Sequence, residues 1–331
     1  MINLGKIKIG NNAPPIVIID LGINHSGSLD KAIYLSDLAI KNGAKIIKHQ
    51  THIADEEMSV EAKKIIPGNA KSSIYSIIKR YSLSYNEEKK LMNYIKQKKC
   101  IFISTPFCKS AVDRLVEFNI PLFKIGSGEC NNYPLVEYIC SKKKPIILST
   151  GMNDIKSVEK SVKIIKKYKL PYALLHCTNI YPTPPHLVRL EAMLELKKKF
   201  KDAVIGLSDH TETIFTSLGA ISLGASIVEK HFTDNKKSSG PDMSASLDPK
   251  ELNLLIQGSK IIYAAKKGSK KAVKEERKTI AFAFGSISAT KNINRGEYLT
   301  KENIFPIRPG TGYFKIKDYY KLIGKKAKKN I

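Results

Sequence analysis

Two histidines, His210 and His231, each close an apolar run: residues 203–209 read AVIGLSD and residues 225–233 read ASIVEKHFT. Short runs rich in Val and Ile suit buried parallel strands, and Thr211-Glu212-Thr213 reads as the cap of a helix between them. In a strand, helix, strand unit the carboxyl ends of both strands open on one face, so the two imidazoles are expected to meet there. Two imidazoles with open positions suit Mn, Fe or Zn. A lone strand-end histidine more often only hydrogen-bonds within a polar rim. Here Ser208, Asp209, Glu229, Lys230 and Asp242 crowd the same strand ends, and that many ionisable groups in one place point to chemistry rather than packing.

The elements that must position these residues repeat along the chain. Apolar runs alternate with amphipathic segments: IVIID before 29–41, AKIIKHQ before a polar excursion and 87–98, IFIST before 109–118, LFKIGSG before 133–140, PIILST before 155–168, and YALLHCT before 187–200. With the two histidine runs, this makes eight strand-then-helix units. Eight units over about 250 residues predict a (β/α)8 TIM barrel, and no GxGxxG follows the first strand to argue for dinucleotide binding.

In a barrel the strand ends line one mouth. In order they supply Asp20 with Asn24 and His25, Lys48 and Gln50, Thr105, Lys124 with Ser127, Thr150, Asn179 with Tyr181, Ser208 with His210, and Glu229 with His231. A core strand has no packing use for an unpaired ammonium, so Lys48 and Lys124 read as anion-binding groups. Lys124 lies in KIGSGE, whose glycines let backbone N–H groups approach a phosphate or carboxylate. Residues 51–80 carry no long periodic run and read as a lid or interface insertion. The YPTPP run, Tyr181 to Pro185, reads as a stiff loop holding Asn179 and Tyr181.

The 331 residues exceed one ordinary core, which suggests a barrel at 1–265 with an appendage. Residues 266–279 read as a charged linker, partly helical. Residues 280–331, with AFGSISAT, NINRGE and IFPIRPGTG, read as a β-rich module that must dock on something to be stable. Arg308 stands there between an apolar strand and a glycine turn. No leader pattern or membrane-length apolar run is present, and five cysteines without a CxxC read as reduced thiols, so the cytoplasm is the expected location. None of the cysteines stands out as a nucleophile. The net charge of +26 comes from fifty lysines against six arginines, with no tryptophan. Nucleic-acid readers concentrate arginine for bidentate contacts, so the charge argues for no nucleic-acid partner and at most for drawing in an anionic substrate.

Taken together, GINHSG, KIIKHQT, STPF, FKIGSGECNNYPL, STGM, YPTP, GLSDHT, EKHFT and SGPD resemble the bacterial sialic acid synthase family, and FAFGSI with IRPGTG resembles its C-terminal antifreeze-like (SAF) domain. The resemblance covers nearly the whole chain. It implies condensation of phosphoenolpyruvate with N-acetylmannosamine or a related 2-acetamido sugar to a nine-carbon keto acid and phosphate. Legionaminic or pseudaminic acid synthesis from a 2,4-diacetamido-trideoxyhexose is the near alternative. It also implies His210 and His231 as ligands of a divalent metal, Mn2+ with Mg2+ or Co2+ as alternatives. Lys48, Thr105, Lys124, Ser127, Thr150 and Ser208 would grip phosphoenolpyruvate, while Gln50, Asn179, Tyr181, Glu229 and Asp242 would position the sugar. Arg308 would reach the N-acyl group from the SAF domain of a partner copy in a swapped homodimer.

One position departs from the family: its first strand ends in Glu where this chain has Asp20. The carboxylate withdraws by roughly 1.5 Å, and a misplacement of that order can lower a rate about 100-fold. Asp20 is therefore the feature that would separate an efficient synthase from a catalytically weak sugar-acid-binding protein. A polyanion binder driven by charge alone would instead show steep salt dependence without sugar dependence.

Overall fold

Eight parallel strands close into one barrel, each hydrogen-bonded to the next in sequence and the last to the first. The computed structural model describes residues 1–68, 71–238 and 240–331; Asn69 and Ala70 of the polar excursion and Ser239 of the SGPD motif lie outside the described residues. The chain divides into two compact units, Met1–Lys267 and Gly268–Ile331.

The first unit opens with a short antiparallel hairpin, β1 (Ile2–Leu4) and β2 (Ile7–Ile9), which was not foreseen from the sequence. The barrel order follows: β3 (Ile16–Asp20), α1 (Leu29–Lys41), β4 (Ile46–Thr51), α2 (Ala54–Glu57), α3 (Ile74–Tyr81), α4 (Tyr85–Gln97), β5 (Ile101–Pro106), α5 (Lys109–Glu117), β6 (Phe123–Ile125), α6 (Tyr133–Ser141), β7 (Ile146–Ser149), α7 (Ile155–Lys167), β8 (Tyr172–Cys177), α8 (Leu190–Lys199), β9 (Val204–Ser208), α9 (Phe215–Leu223), β10 (Ile227–His231) and α10 (Pro249–Ala265). The expected TIM barrel is the fold. Helix starts carry the local chemistry expected of them: Ser84 with Glu87 and Asp248 with Glu251 form reciprocal caps on α4 and α10.

Alternation along each strand separates two cores. Val17, Ile19, Ile47, Phe102, Phe123, Ile146, Leu148, Leu174, Ile205 and Val228 face the helices, whereas Ile18, Ile46, Ile103, Ile147, Ala173, Leu175, Val204 and Ile227 face the barrel axis and pack against Ile2, Leu4 and Ile9 of the hairpin. The hairpin thus plugs the amino-terminal end of the barrel. Gly206 belongs to the inward set: a Cβ there would run into the Ile227 carbonyl and the Leu175 side chain.

One local expectation is sharpened and another corrected. The excursion, expected to carry no long periodic run, holds one short amphipathic helix: Ile74, Ile77 and Ile78 share one face of the eight-residue α3, whose amino end is capped by Ser73. Helix α9 is not capped by the Thr-Glu-Thr run; Ile214 occupies the cap without a side-chain bond, Thr213 Oγ1 accepts from the Phe215 N–H at 3.2 Å, and Asp209 accepts from the Thr211 N–H at 2.9 Å.

In the second unit, α11 (Arg277–Ala283) begins inside the charged stretch, β11 (Ser286–Ala289) pairs antiparallel with β12 (Ile304–Ile307), and α12 (Tyr319–Leu322) follows. Its small core gathers Ile293, Leu299, Ile304 and Ala327. No helix among the described residues is long and apolar enough to cross a membrane.

Candidate active site

Period-two alternation reads polar at the carboxyl end of every inward strand face: Asp20, Lys48 and Gln50, Thr105, Lys124, Ser149, Cys177, Ser208 and Glu229 with His231. Together with Ser127, Asn179, Tyr181, His210 and Asp242 they line one cavity of about 440 Å³, a size ample for two small metabolites.

At its floor lies a charge quartet. Lys48 Nζ is 2.7 Å from Asp20 Oδ2, and the Nζ atoms of Lys48 and Lys124 are each 3.4 Å from Glu229 Oε1. Lys124 also donates to Ser149 Oγ at 2.7 Å, and Ser208 Oγ donates to Glu229 at 3.2 Å. Burial pushes the Lys124 ammonium below the usual lysine range; burial acts on Lys48 likewise, but Asp20 and Glu229 outweigh it and raise Lys48. Burial alone would raise Asp20 and Glu229, yet the lysines hold both carboxyls below their usual range.

Beside the quartet the rings of His210 and His231 lie 5.5 Å apart, with the Tyr181 ring 4.2 Å from that of His210. Burial first, then the surrounding negative charge, raises Tyr181 well above the ordinary phenol, so it stays neutral and able to donate. The proline-rich loop is pinned by the Thr183 N–H on the His210 carbonyl at 2.9 Å. Gly22 makes the other side possible: a Cβ there would sit 2.7 Å from Asp242 Oδ2 and 2.8 Å from His231 Nδ1.

The donor set fits a divalent metal. His210 Nδ1 is 3.0 Å from the Thr178 carbonyl, which can only accept, so that nitrogen carries the proton and Nε2 the lone pair. His231 Nδ1 is a buried atom without a hydrogen-bond partner, 3.5 Å from Asp20 Oδ2 and 3.8 Å from Asp242 Oδ2; a proton there orients the ring against carboxylates and again leaves Nε2 free. Two imidazoles as ligands would leave coordination positions open; among the described residues no three His, Cys, Asp or Glu side chains are grouped to hold a metal. Thr105 Oγ1 and Glu229 Oε2, also in the cavity, are buried without partners, as expected of groups meant for a ligand.

Several residues expected at the mouth are elsewhere. Thr150 turns outward and donates to the Leu175 carbonyl at 3.0 Å, because on β7 the inward positions are Ile147 and Ser149. Asp209 and Lys230, one residue off the inward set, pair with each other at 3.4 Å behind the sheet, both side chains 0% exposed. Asn24 donates to the Phe232 carbonyl and Ser246 Oγ, and His25 Nδ1 accepts from the Gly27 N–H. Arg308, expected to act on a partner copy rather than at its own mouth, is exposed in the second unit just after β12. The cavity also has residues not singled out from sequence: Ser149 and Cys177, which counting by two along their strands would have found, His52 and Glu57 just past Gln50, and Glu129 of KIGSGE. One wall is apolar, built from Ile23, Met58, Ile74, Ile77, Ile78 and Phe107.

Residues 35–271 match the NeuB family and residues 285–331 match the SAF domain. The chain belongs to the NeuB family. As such it is an enzyme, a synthase of nonulosonic acids. This NeuB-family chain is 38% identical over 95% of its length to the N,N'-diacetyllegionaminic acid synthase of Campylobacter jejuni, of which it covers 96%. It is 34% identical over 92% of its length to the enzyme of that name in Legionella pneumophila, covering 88%. Among solved structures it resembles the N-acetylneuraminic acid synthetase of Leptospira borgpetersenii, crystallised with citrate, at TM-score 0.77 and 31% identity, over 84% of this chain and 94% of that one.

Proposed function

We propose that the protein condenses phosphoenolpyruvate with the open-chain aldehyde of an N-acylated amino sugar and water, giving a nonulosonic acid and phosphate. The observation that carries this reading is that two buried lysines and two histidines 5.5 Å apart line one cavity at the strand ends. Lys48, Lys124, Ser127, Ser149, Ser208 and Thr105 supply cations and hydroxyls for a phosphate and a carboxylate. Gln50, Asn179, Tyr181, Glu229 and Asp242 face the sugar. His210 and His231 would hold a divalent metal, for which we favour Mn2+, and it would supply Lewis-acid polarisation of the aldehyde.

C3 of phosphoenolpyruvate bonds to the aldehyde carbon, and the aldehyde oxygen takes up a proton. Water adds to the cationic C2 and loses its proton to a carboxylate, for which Asp20 stands nearest the Lys48 charge. The C2–O bond to phosphate then breaks as the C2 hydroxyl becomes the carbonyl, and its proton leaves with phosphate, giving the keto acid.

For the sugar we favour a 2,4-diacetamido-trideoxyhexose over N-acetylmannosamine. The apolar wall suits acyl and deoxy methyl groups better than a polyol tail, and two relatives, at 38% and 34% identity, are named as N,N'-diacetyllegionaminic acid synthases. We further propose residues 1–265 as the synthase barrel, 266–279 as a linker, and 280–331 as an SAF module that brings Arg308 over the mouth of a partner copy in a domain-swapped homodimer. The cytoplasm, where the five free buried thiols stay reduced, is the proposed site of reaction.

The test is phosphate release with phosphoenolpyruvate, Mn2+ and a panel of mono- and diacetamido sugars, with the product mass recorded. Release only with the diacetamido sugar, abolished by chelator and restored by Mn2+, is expected. Release without sugar dependence, or full activity in chelator, would sink the reading.

A further inference from the structure

His52 stands two residues past Gln50, where β4 gives way to α2, and its ring lies on Phe107 with centroids 4.1 Å apart at 12°. Both ring nitrogens are engaged: Nδ1 is 2.8 Å from Glu57 Oε1, and Nε2 is 3.2 Å from Gln50 Oε1. Gln50 Nε2 in turn donates to Asp20 Oδ2 at 3.3 Å. The His52 and Glu57 side chains are 6% and 4% exposed, and the Ile53 N–H donates to the second Glu57 oxygen.

What each group can do decides the protons along this line. Asp20, ionised beside Lys48, only accepts, so the Gln50 NH2 faces it and the Gln50 oxygen faces His52. An amide oxygen also only accepts, so His52 Nε2 carries a proton. So does Nδ1, which faces the Glu57 carboxylate. With both nitrogens donating, the ring would be an imidazolium with Glu57 as its counter-charge.

We propose that Glu57 and His52 form a positioning relay for the synthase, in which the charged ring locks the Gln50 amide in the one orientation that donates to Asp20 and thereby sets that carboxylate in the cavity. A neutral His52 protonated on Nδ1 would turn a lone pair toward Gln50. The amide would then rotate and present its own oxygen to Asp20, and the two acceptors would repel. The relay also gives the excursion after β4 a part in the site, since Glu57 closes α2.

The charged and titratable groups around the ring come from several elements. Glu57 faces it from α2, His25 from the loop after β3, and Asp20 lies one hydrogen bond further; Glu57 itself faces Cys108 and Glu129. Burial, with His49 and His52 nearby, takes His25 down to about 3, so it contributes no charge.

The catalytic consequence rests on the synthase reading, whereas the charge of His52 is measured without turnover. Proton–nitrogen correlation spectra of the full-length protein should show both His52 nitrogens protonated. In Glu57→Gln the ring should become neutral, and kcat should fall about tenfold or more with the phosphoenolpyruvate KM within about twofold. Glu57→Asp, which keeps the charge, should keep the imidazolium and most of kcat. A neutral His52 in the unmodified protein overturns the inference. So does a neutral ring in Glu57→Gln with kcat unchanged. Should Glu57→Gln lose its fold, His52→Gln carries the same kinetic test, and unchanged kcat there overturns the inference. If the imidazolium is seen but no sugar supports phosphate release, it is the synthase reading that fails.

Discussion

Asp20 Oδ2 lies 2.7 Å from Lys48 Nζ, with each side chain only 4% exposed. The other Asp20 oxygen accepts from the Gly22 N–H at 3.0 Å, so the carboxylate is held back at the strand end. Asp20→Glu extends it by one methylene and is expected to raise kcat, while Asp20→Asn should nearly eliminate turnover and leave phosphoenolpyruvate binding in place. Steady-state kinetics with binding calorimetry separate the two, and unchanged turnover in Asp20→Asn would remove the carboxylate from the reaction.

The Asp209–Lys230 pair should matter for stability and not for chemistry. Lys230→Met leaves a fully buried carboxylate without its cation, which is expected to destabilise the barrel by about 3–5 kcal/mol, read as a lower urea midpoint with turnover per folded molecule retained. Burial alone would raise the Asp209 carboxyl, but Lys230 and three hydrogen bonds hold it below the usual range. Its stabilisation is thus present above the ordinary Asp value of about 3.9 and is lost as pH falls further. Acid should therefore lower the midpoint of the unmodified protein more than that of Lys230→Met. Lost turnover at full stability would move the pair into the site.

Ser149 and Thr150 offer a test of strand facing at neighbouring positions. Ser149→Ala and Lys124→Met should raise the phosphoenolpyruvate KM, Lys124→Met by about tenfold or more because it removes a charge-assisted contact. Thr150→Val should leave that KM unchanged and lower the melting temperature slightly. A KM effect confined to Thr150 would reverse the assignment.

Arg308 is to be tested by mixing. Arg308→Ala should weaken use of the sugar more than use of phosphoenolpyruvate. If the SAF module serves a partner copy, combining Arg308→Ala with His210→Ala under subunit exchange restores activity, because one mouth in each heterodimer is then complete. Continued inactivity with exchange demonstrated by mass would exclude the swapped arrangement.

By itself the sequence determined the barrel, because eight apolar runs separated by amphipathic segments leave little choice of architecture, and it placed His210, His231, Lys48 and Lys124 at strand ends. What it left open was facing. Thr150 and Ser149, or Lys230 and its neighbours Glu229 and His231, are all polar residues at a strand end, and a shift of one residue carries a side chain from the cavity to the helix side. Only the closed hydrogen-bond register decides between them. The same holds for β1 and β2, whose three-residue strands are too short to show a period yet plug the barrel through Ile2, Leu4 and Ile9. It holds too for His52 and Glu57. Their spacing in the chain carries no signal, and their meaning lies in a hydrogen-bonded line to Asp20 that joins β3, β4 and α2, elements brought side by side only when the barrel closes.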